Sequence, residues 1–153
     1  MKINLALNLT AGLLLAVGLV GCQPSSKATS NANDDLKKAS GTWTLVSGEM
    51  SGKPVDESVL KNAKLTMDGE KYTVDLGEMG VKKGTQKFDA TKTPKQIDAQ
   101  QTEGPNIGLN LGIYEFMANG DFRVCFSSGK ERPTAFVTSP ENGQFVHVWR
   151  RSK

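Results

Sequence analysis

The sequence predicts an all-β domain, a small antiparallel up-and-down barrel of about eight strands with one short helix between strands 1 and 2. Three observations favour this fold. Apolar and polar residues alternate in many short segments, which is the period of a strand with one dry face. Turn residues separate neighbouring segments closely, as they do in hairpins. The chain of 153 residues is also short enough for one domain.

The predicted strands follow one another from residue 41 to residue 150. Alternation is clearest in Lys71–Leu76 and Lys64–Asp68. Asp68-Gly69 lies between these two runs and predicts a tight hairpin, because both residues tolerate positive φ; Asn119-Gly120 marks a second tight turn. Residues 56–62 (DESVLKN) predict the short helix. The predicted strands cover residues 41–49, 64–68, 71–76, 81–88, 95–100, 110–117, 121–127 and 144–150.

The N-terminal 21 residues have the parts of a bacterial export signal in the usual order. Lys2 supplies the positive start, a mostly apolar run extends from Leu5 to Leu19, and Gly21 is a small residue at the cleavage point. Leu19-Val20-Gly21-Cys22 resembles the lipobox of bacterial lipoproteins, in which the cysteine thiol is acylated and the chain is cut before it. The resemblance implies a cleaved signal peptide over residues 1–21 and lipidation of Cys22.

An uncleaved transmembrane helix is the alternative for this segment. Residues 3–21 are nearly long enough to span a bilayer, but Asn4, Asn8 and Thr10 interrupt them. We therefore expect an exported protein that acyl chains on Cys22 anchor to the cell membrane. In a host with two membranes we expect the outer membrane, because Gln23 is not the aspartate that resembles an inner-membrane retention signal.

The sequence predicts three regions in the chain. After the signal, residues 22–39 are expected to be the lipidated cysteine and a flexible tether, because residues 23–39 are rich in Ser, Asn, Ala and charge and contain no aromatic residue. Residues 40–153 are expected to be the barrel domain.

Composition argues against several function classes. The net charge of +3 is too small and too scattered for a nucleic-acid partner. His147 is the only histidine, so neither a His-based triad with alternatives nor a His/Cys zinc cluster is available. If Cys22 is lipidated, Cys125 has no intramolecular partner and is expected to be a buried structural thiol. We expect no enzymatic activity, no catalytic residue, no metal and no cofactor.

Two segments at the ends of the predicted domain resemble lipocalins and related calycin barrels. Gly41-Thr42-Trp43 opens the first strand, and QFVHVWRR closes the chain at residues 144–151. In those barrels a G-x-W motif opens the first strand, its Trp plugs the closed end, and an arginine of the last strand packs over the ring. The resemblance implies barrel closure by Trp43 and Arg150, with Arg151 as the alternative partner. A cation on an indole ring contributes about 0.5–2 kcal/mol.

A wider resemblance covers residues 41–136. The segments GTWTLVSGEMSGKPV, LTMDGEKYTV, GTQKFDATKTPKQIDA, LGIYEF, FRVCF and GKERPTAF follow one another as in an uncharacterised lipocalin-like domain family that is abundant in planctomycete bacteria. This similarity implies the barrel fold. It implies no particular activity, because the family offers no established catalytic or ligand-binding residues to carry over.

Two functions are compatible with such a barrel. It could hold a small hydrophobic or amphipathic ligand, since an eight-stranded barrel can leave room for one. The same interior residues could instead fill the barrel, leaving a scaffold that binds another envelope protein through its loops, with the 129–134 loop (GKERPT) as the first candidate. The pattern leaves open which face of the last strand points inward. The candidate ligand-lining residues are Leu65, Met67, Tyr72, Val74, Leu76, Tyr114, Phe116, Phe122, Val124 and Phe126.

Overall fold

A computed structural model describes residues 26–127 and 131–153 of the chain. The predicted signal peptide and the predicted lipidation site Cys22 lie outside the described residues. The helices are α1 (Ser26–Ala39), α2 (Glu57–Asn62) and a short 3-10 helix (Gly77–Met79). The strands are β1 (Gly41–Met50), β2 (Lys53–Pro54), β3 (Lys64–Asp68), β4 (Lys71–Asp75), β5 (Val81–Asp89), β6 (Lys95–Glu103), β7 (Gly108–Phe116), β8 (Phe122–Ser127) and β9 (Gln144–Arg151).

Eight of these strands close into an antiparallel barrel. Strands β3 to β8 each pair with the next strand along the chain. Strand β1 pairs with β3 on one side and with β9 on the other, which closes the ring. The two-residue β2 only extends the end of β1. The predicted up-and-down barrel of about eight strands is confirmed, and α2 is the predicted short helix between its first two strands.

The two predicted tight turns are confirmed. Asp68 pairs with Lys71 across the β3–β4 hairpin, and Gly69 in the loop has a φ of 54°. Glycine adopts this left-handed conformation without the steric cost of a Cβ atom. In the β7–β8 turn the Gly120 amide donates to the Met117 carbonyl at 2.9 Å, and Gly120 has a φ of 86°.

An aromatic cluster fills the closed end of the barrel. Trp43, Tyr114 and Phe122 are each 1% exposed, and Phe88 and Phe116 pack against them. Ring centroids lie 4.7 Å apart for Phe88 and Tyr114 and 5.9 Å apart for Trp43 and Phe122. These five residues come from four strands that meet at this end, so their rings pack the closed half of the interior.

Residues 26–39 form helix α1, which corrects the predicted flexible tether over this range. The C-terminal part of α1 packs on the closed end of the barrel. The Asp35 carboxylate accepts hydrogen bonds from Lys95 Nζ and from the Tyr114 hydroxyl, both at 2.7 Å. Trp43 Nε1 donates to the Ala39 carbonyl at 2.8 Å. Composition did not predict this helix, because partners on distant strands hold it in place.

Arg151, rather than Arg150, packs over Trp43. The Arg151 guanidinium carbon lies 4.3 Å from the Trp43 ring centroid, and the same group donates to the carbonyls of Lys38 and Ser40 at the end of α1. Arg150 lies on the opposite face of β9 and pairs with Asp121 at 2.8 Å. The predicted packing of Arg150 over Trp43 is therefore wrong, and the alternative partner, Arg151, is confirmed.

The outer face of β6–β8 is covered by residues 131–143, which we call the strap. Arg132 Nη1 donates to the carbonyls of Ile97 at 2.9 Å and Gly112 at 2.7 Å. Ile113 and Cys125 are 0% exposed although they alternate with inward residues, so they lie on the outer face beneath this cover. Burial raises the pKa of the Cys125 thiol to about 11. The predicted burial of Cys125 is confirmed.

Candidate functional site

The open end of the barrel contains a cavity of about 580 Å³. It is partly open to solvent, and a loop over residues 104–107, which we call the mouth loop, contributes to its rim. Its wall is mostly apolar. Seven of the ten predicted lining residues lie on this wall: Leu65, Tyr72, Val74, Leu76, Phe122, Val124 and Phe126.

The other three predicted lining residues do not line the cavity. Met67 is 2% exposed within the closed half of the barrel, and Tyr114 and Phe116 belong to the aromatic cluster there. Met67 and Phe116 pair across the sheet with the lining residues Tyr72 and Phe122, so the floor of the cavity lies close to this level of the barrel. The prediction located them on the correct face of each strand but could not locate the floor of the cavity.

Strand β9 contributes three lining residues that the sequence left unassigned. Phe145, His147 and Trp149 face the cavity, so Val146 and Val148 face outward. The apolar character of both faces has a physical cause, because Val146 pairs with the covered Cys125 on the outer side. This decides the orientation that the alternation in residues 144–150 could not decide.

Strand β6 and the mouth loop supply further wall residues that sequence reasoning missed. Ile97, Ala99 and Gln101 follow strict alternation along β6 and all line the cavity. That period was visible in the sequence, but the segment was too polar to suggest an interior wall. The Gln101 side chain donates to the Pro105 carbonyl and so connects the wall to the mouth loop. Ile107 at the end of this loop lines the cavity and is 67% exposed.

Strand β5 contributes two polar residues to the wall. Lys82 and Gln86 both line the cavity, and they lie in the inward row of the strand with Gly84 and Phe88. Gln86 is 4% exposed, and its side-chain nitrogen Nε2 has no hydrogen-bond partner among the described residues. A buried hydrogen-bond donor without a partner is uncommon in native proteins, so an acceptor on a bound molecule would satisfy Gln86 Nε2.

His147 is neutral within this cavity at physiological pH. Burial lowers the pKa of His147 to about 4, and the positive charge of Lys82 adds to this effect. Strands β5 and β9 are opposite one another in the ring of eight, so the charge of Lys82 acts across the interior. The neighbours of the imidazole are rings, with centroid distances of 5.2 Å to Phe145 and 5.7 Å to Trp149.

The low pKa of His147 predicts a loss of stability in mild acid. The unfolded chain binds the proton at its ordinary pKa of about 6.5, while the folded chain binds it only near pH 4. Stability is therefore complete above pH 6.5 and falls as the pH drops toward 4, by up to about 3 kcal/mol. Urea unfolding measured between pH 7.5 and pH 4 tests this, and we expect His147→Phe to flatten the dependence.

Asp121 also makes the stability depend on pH, but in a lower pH range, so its effect can be separated from that of His147. The hydrogen bond from Arg150 lowers the pKa of Asp121 below its ordinary value of 3.8. Its contribution to stability is therefore present at pH 4 and is lost only below that pH. An unchanged slope between pH 6.5 and pH 4 in His147→Phe would contradict the assignment to His147.

In residues 26–127 and 131–153, no group of three or more His, Cys, Asp or Glu side chains is placed to hold a metal ion. Over the same residues, no helix combines the length and apolar character needed to cross a membrane.

Comparison with known proteins gave no match to a protein-family model, to a curated protein or to a solved structure. The class of protein is therefore defined by its own geometry. It is a closed, eight-stranded, up-and-down β-barrel that is packed at one end and hollow at the other.

Proposed function

We propose that this protein binds a small hydrophobic or amphipathic molecule in the open half of its barrel and performs no chemistry on it. The cavity of about 580 Å³ carries this proposal. Binding pockets for small molecules span roughly 300–1,000 Å³ and have mostly apolar walls with a few polar groups. Each methylene group that moves from water into such a wall contributes about 0.8 kcal/mol.

The alternative, a packed scaffold that binds a partner through its loops, receives less support. Its interior would have to be filled, whereas only the closed half is occupied by side chains. In the 129–134 loop, Arg132 is engaged by the carbonyls of Ile97 and Gly112 and by Asp98. Pro133 is buried as well, so much of the described part of this loop packs against the barrel.

A cavity-filling substitution should block binding without unfolding the protein. Ala99 is 7% exposed and points into the cavity from β6. We expect Ala99→Phe to place its ring in the ligand space and to lower probe labelling at least about tenfold, since overlap with the ligand removes most of the apolar contact. The probe is a diazirine-bearing dodecanol, and labelling of the full chain in lipid nanodiscs is mapped by mass spectrometry.

The matched control is Gln100→Phe, which adds the same ring at the neighbouring exposed position on the outer face of β6. It should leave labelling of the cavity peptides unchanged. Circular dichroism establishes that both variants are folded. Equal labelling of the two variants, or labelling confined to the outer surface of wild-type protein, would contradict ligand binding inside the barrel.

We also propose that the barrel is held at the cell envelope by acyl chains on Cys22. This part of the proposal rests on the lipobox-like Leu19-Val20-Gly21-Cys22 and on the apolar run before it. We expect Cys22→Ser to abolish incorporation of radiolabelled palmitate and to leave the unprocessed precursor on a gel. Unchanged labelling of that variant would contradict lipidation. Ser25→Ala, three residues later, is the matched control and should be processed normally.

A further inference from the structure

The cavity carries an unbalanced positive charge. Lys82 is the one lining residue with a formal charge at neutral pH, and none of the described lining residues has a carboxylate. Lys82 forms no ion pair within the described part of the chain. Its neighbour Lys83 behaves differently, because it faces outward and pairs with Glu103 at 2.9 Å. The two consecutive lysines therefore have different surroundings, one inside the barrel and one outside.

An unpaired ammonium group beside an apolar wall favours an anion. Charged groups that leave water need a counter-charge to offset the lost hydration, and few are buried without one. The effect of Lys82 on the pKa of His147, which lies on the opposite strand, agrees with a charge directed into the interior. Since His147 is neutral and none of the described lining residues has a carboxylate, an anionic ligand would be the one counter-charge to Lys82 within the described wall.

Gln86 supplies a second polar contact on the same row. Its Cα lies about 13 Å from that of Lys82, since four residues of strand each advance about 3.3 Å. The Nε2 donor of Gln86 is buried without a partner among the described residues. The last torsion of a glutamine side chain rotates freely over a broad range, so this amide can turn toward an acceptor in the cavity.

We propose that the ligand is an acidic amphiphile, with its anionic group paired to Lys82 Nζ and an oxygen acceptor further along the molecule bonded to Gln86 Nε2. This inference rests on the proposed ligand-binding function and specifies the chemical class of the ligand. The apolar part of the molecule would lie against Tyr72, Val74 and Phe126 between the two polar contacts.

The test compares an acid with its neutral analogue in matched lysine variants. The probes are diazirine-bearing dodecanoic acid and diazirine-bearing dodecanol, applied to the full chain in nanodiscs of neutral phosphatidylcholine. Each variant is compared with wild type for one probe at a time, so the partition of that probe into lipid cancels. We expect Lys82→Met to raise the half-saturating concentration of the acid at least about tenfold and to leave that of the alcohol within about twofold.

Lys83→Met is the control, because it removes the same charge from the adjacent residue on the outer face. It should leave both probes within about twofold of wild type. An equal loss of acid binding in Lys82→Met and Lys83→Met, or no loss in either, would overturn this inference. Labelling of the cavity by the alcohol probe would still support the barrel as a binding site in that case. Failure of both probes to label the cavity of wild-type protein would overturn the proposed function itself.

Gln86 is tested by competition with unlabelled acids. With its terminal hydroxyl as the acceptor, 12-hydroxydodecanoic acid should displace the acid probe from wild type at a concentration about threefold or more below that of dodecanoic acid. We expect Gln86→Leu to remove this difference while it retains displacement by dodecanoic acid. An equal preference in wild type and in Gln86→Leu would overturn the role of Gln86.

Discussion

Replacement of Trp43 with alanine is expected to lower the free energy of unfolding by about 3–5 kcal/mol, as for other large buried aromatic residues. The side chain is 1% exposed at the closed end of the barrel and packs against Phe122 at a centroid distance of 5.9 Å. Its removal leaves a cavity where β1 meets β9. It also removes the surface on which the Arg151 guanidinium lies.

The indole nitrogen adds a separate effect that a second variant isolates. Trp43 Nε1 donates to the Ala39 carbonyl and so connects the barrel to α1. Trp43→Phe keeps most of the apolar volume but has no donor, so we expect a smaller loss, of about 1–3 kcal/mol. Urea unfolding followed by far-UV circular dichroism measures both variants. A loss below about 1 kcal/mol in Trp43→Ala would contradict a closing role for this residue.

Local sequence was sufficient to predict the strands. The alternation in Lys64–Asp68 and Lys71–Leu76, with the Asp68-Gly69 turn between them, reflects short-range physics that operates wherever one face of a strand is dry. The resulting hairpins join neighbours in sequence, so their order predicted the order in the sheet. Closure of the ring by β1 and β9 followed from the same up-and-down connectivity.

Helix α1 could not be predicted in this way. Its sequence, SKATSNANDDLKKA, has few apolar residues and little intrinsic reason to fold alone. The groups that hold it are Lys95 and Tyr114, which lie 60 and 79 residues away from Asp35 in the chain. Contacts at such separations leave no periodic signal in the segment itself.

The sequence predicted which residues point into the barrel but not how far along the barrel axis each of them lies. Tyr72 and Tyr114 both point inward, yet Tyr72 lines the cavity and Tyr114 belongs to the packed half. Alternation gives the face of a strand and contains no information on the position along the barrel axis. Arg150 was misassigned for a different reason, because both faces of β9 carry apolar residues and alternation alone does not decide which face points inward.

The inward row of β5 contains a position where even one extra carbon is expected to be costly. Gly84 is buried, and a Cβ built on it would lie 2.0 Å from the Gln100 carbonyl oxygen and 2.9 Å from the Tyr72 ring. The register between β5 and β6 shifts between Lys83 and Gly84, which brings the two backbones close together. Both obstacles belong to the barrel wall, so neither can move aside cheaply.

We therefore expect Gly84→Ala to lower the free energy of unfolding by about 3 kcal/mol or more, the upper end of the range for overpacked interiors. Gly120→Ala separates steric overlap from backbone strain, because nothing lies within 4 Å of its Cβ while its φ is 86°. That variant should lose only about 1–2 kcal/mol. A smaller loss in Gly84→Ala than in Gly120→Ala would mean that β5 can move away from β6. Such a movement would also displace Lys82 and Gln86, so the stability of this strand pair and the binding of an acidic ligand should weaken together.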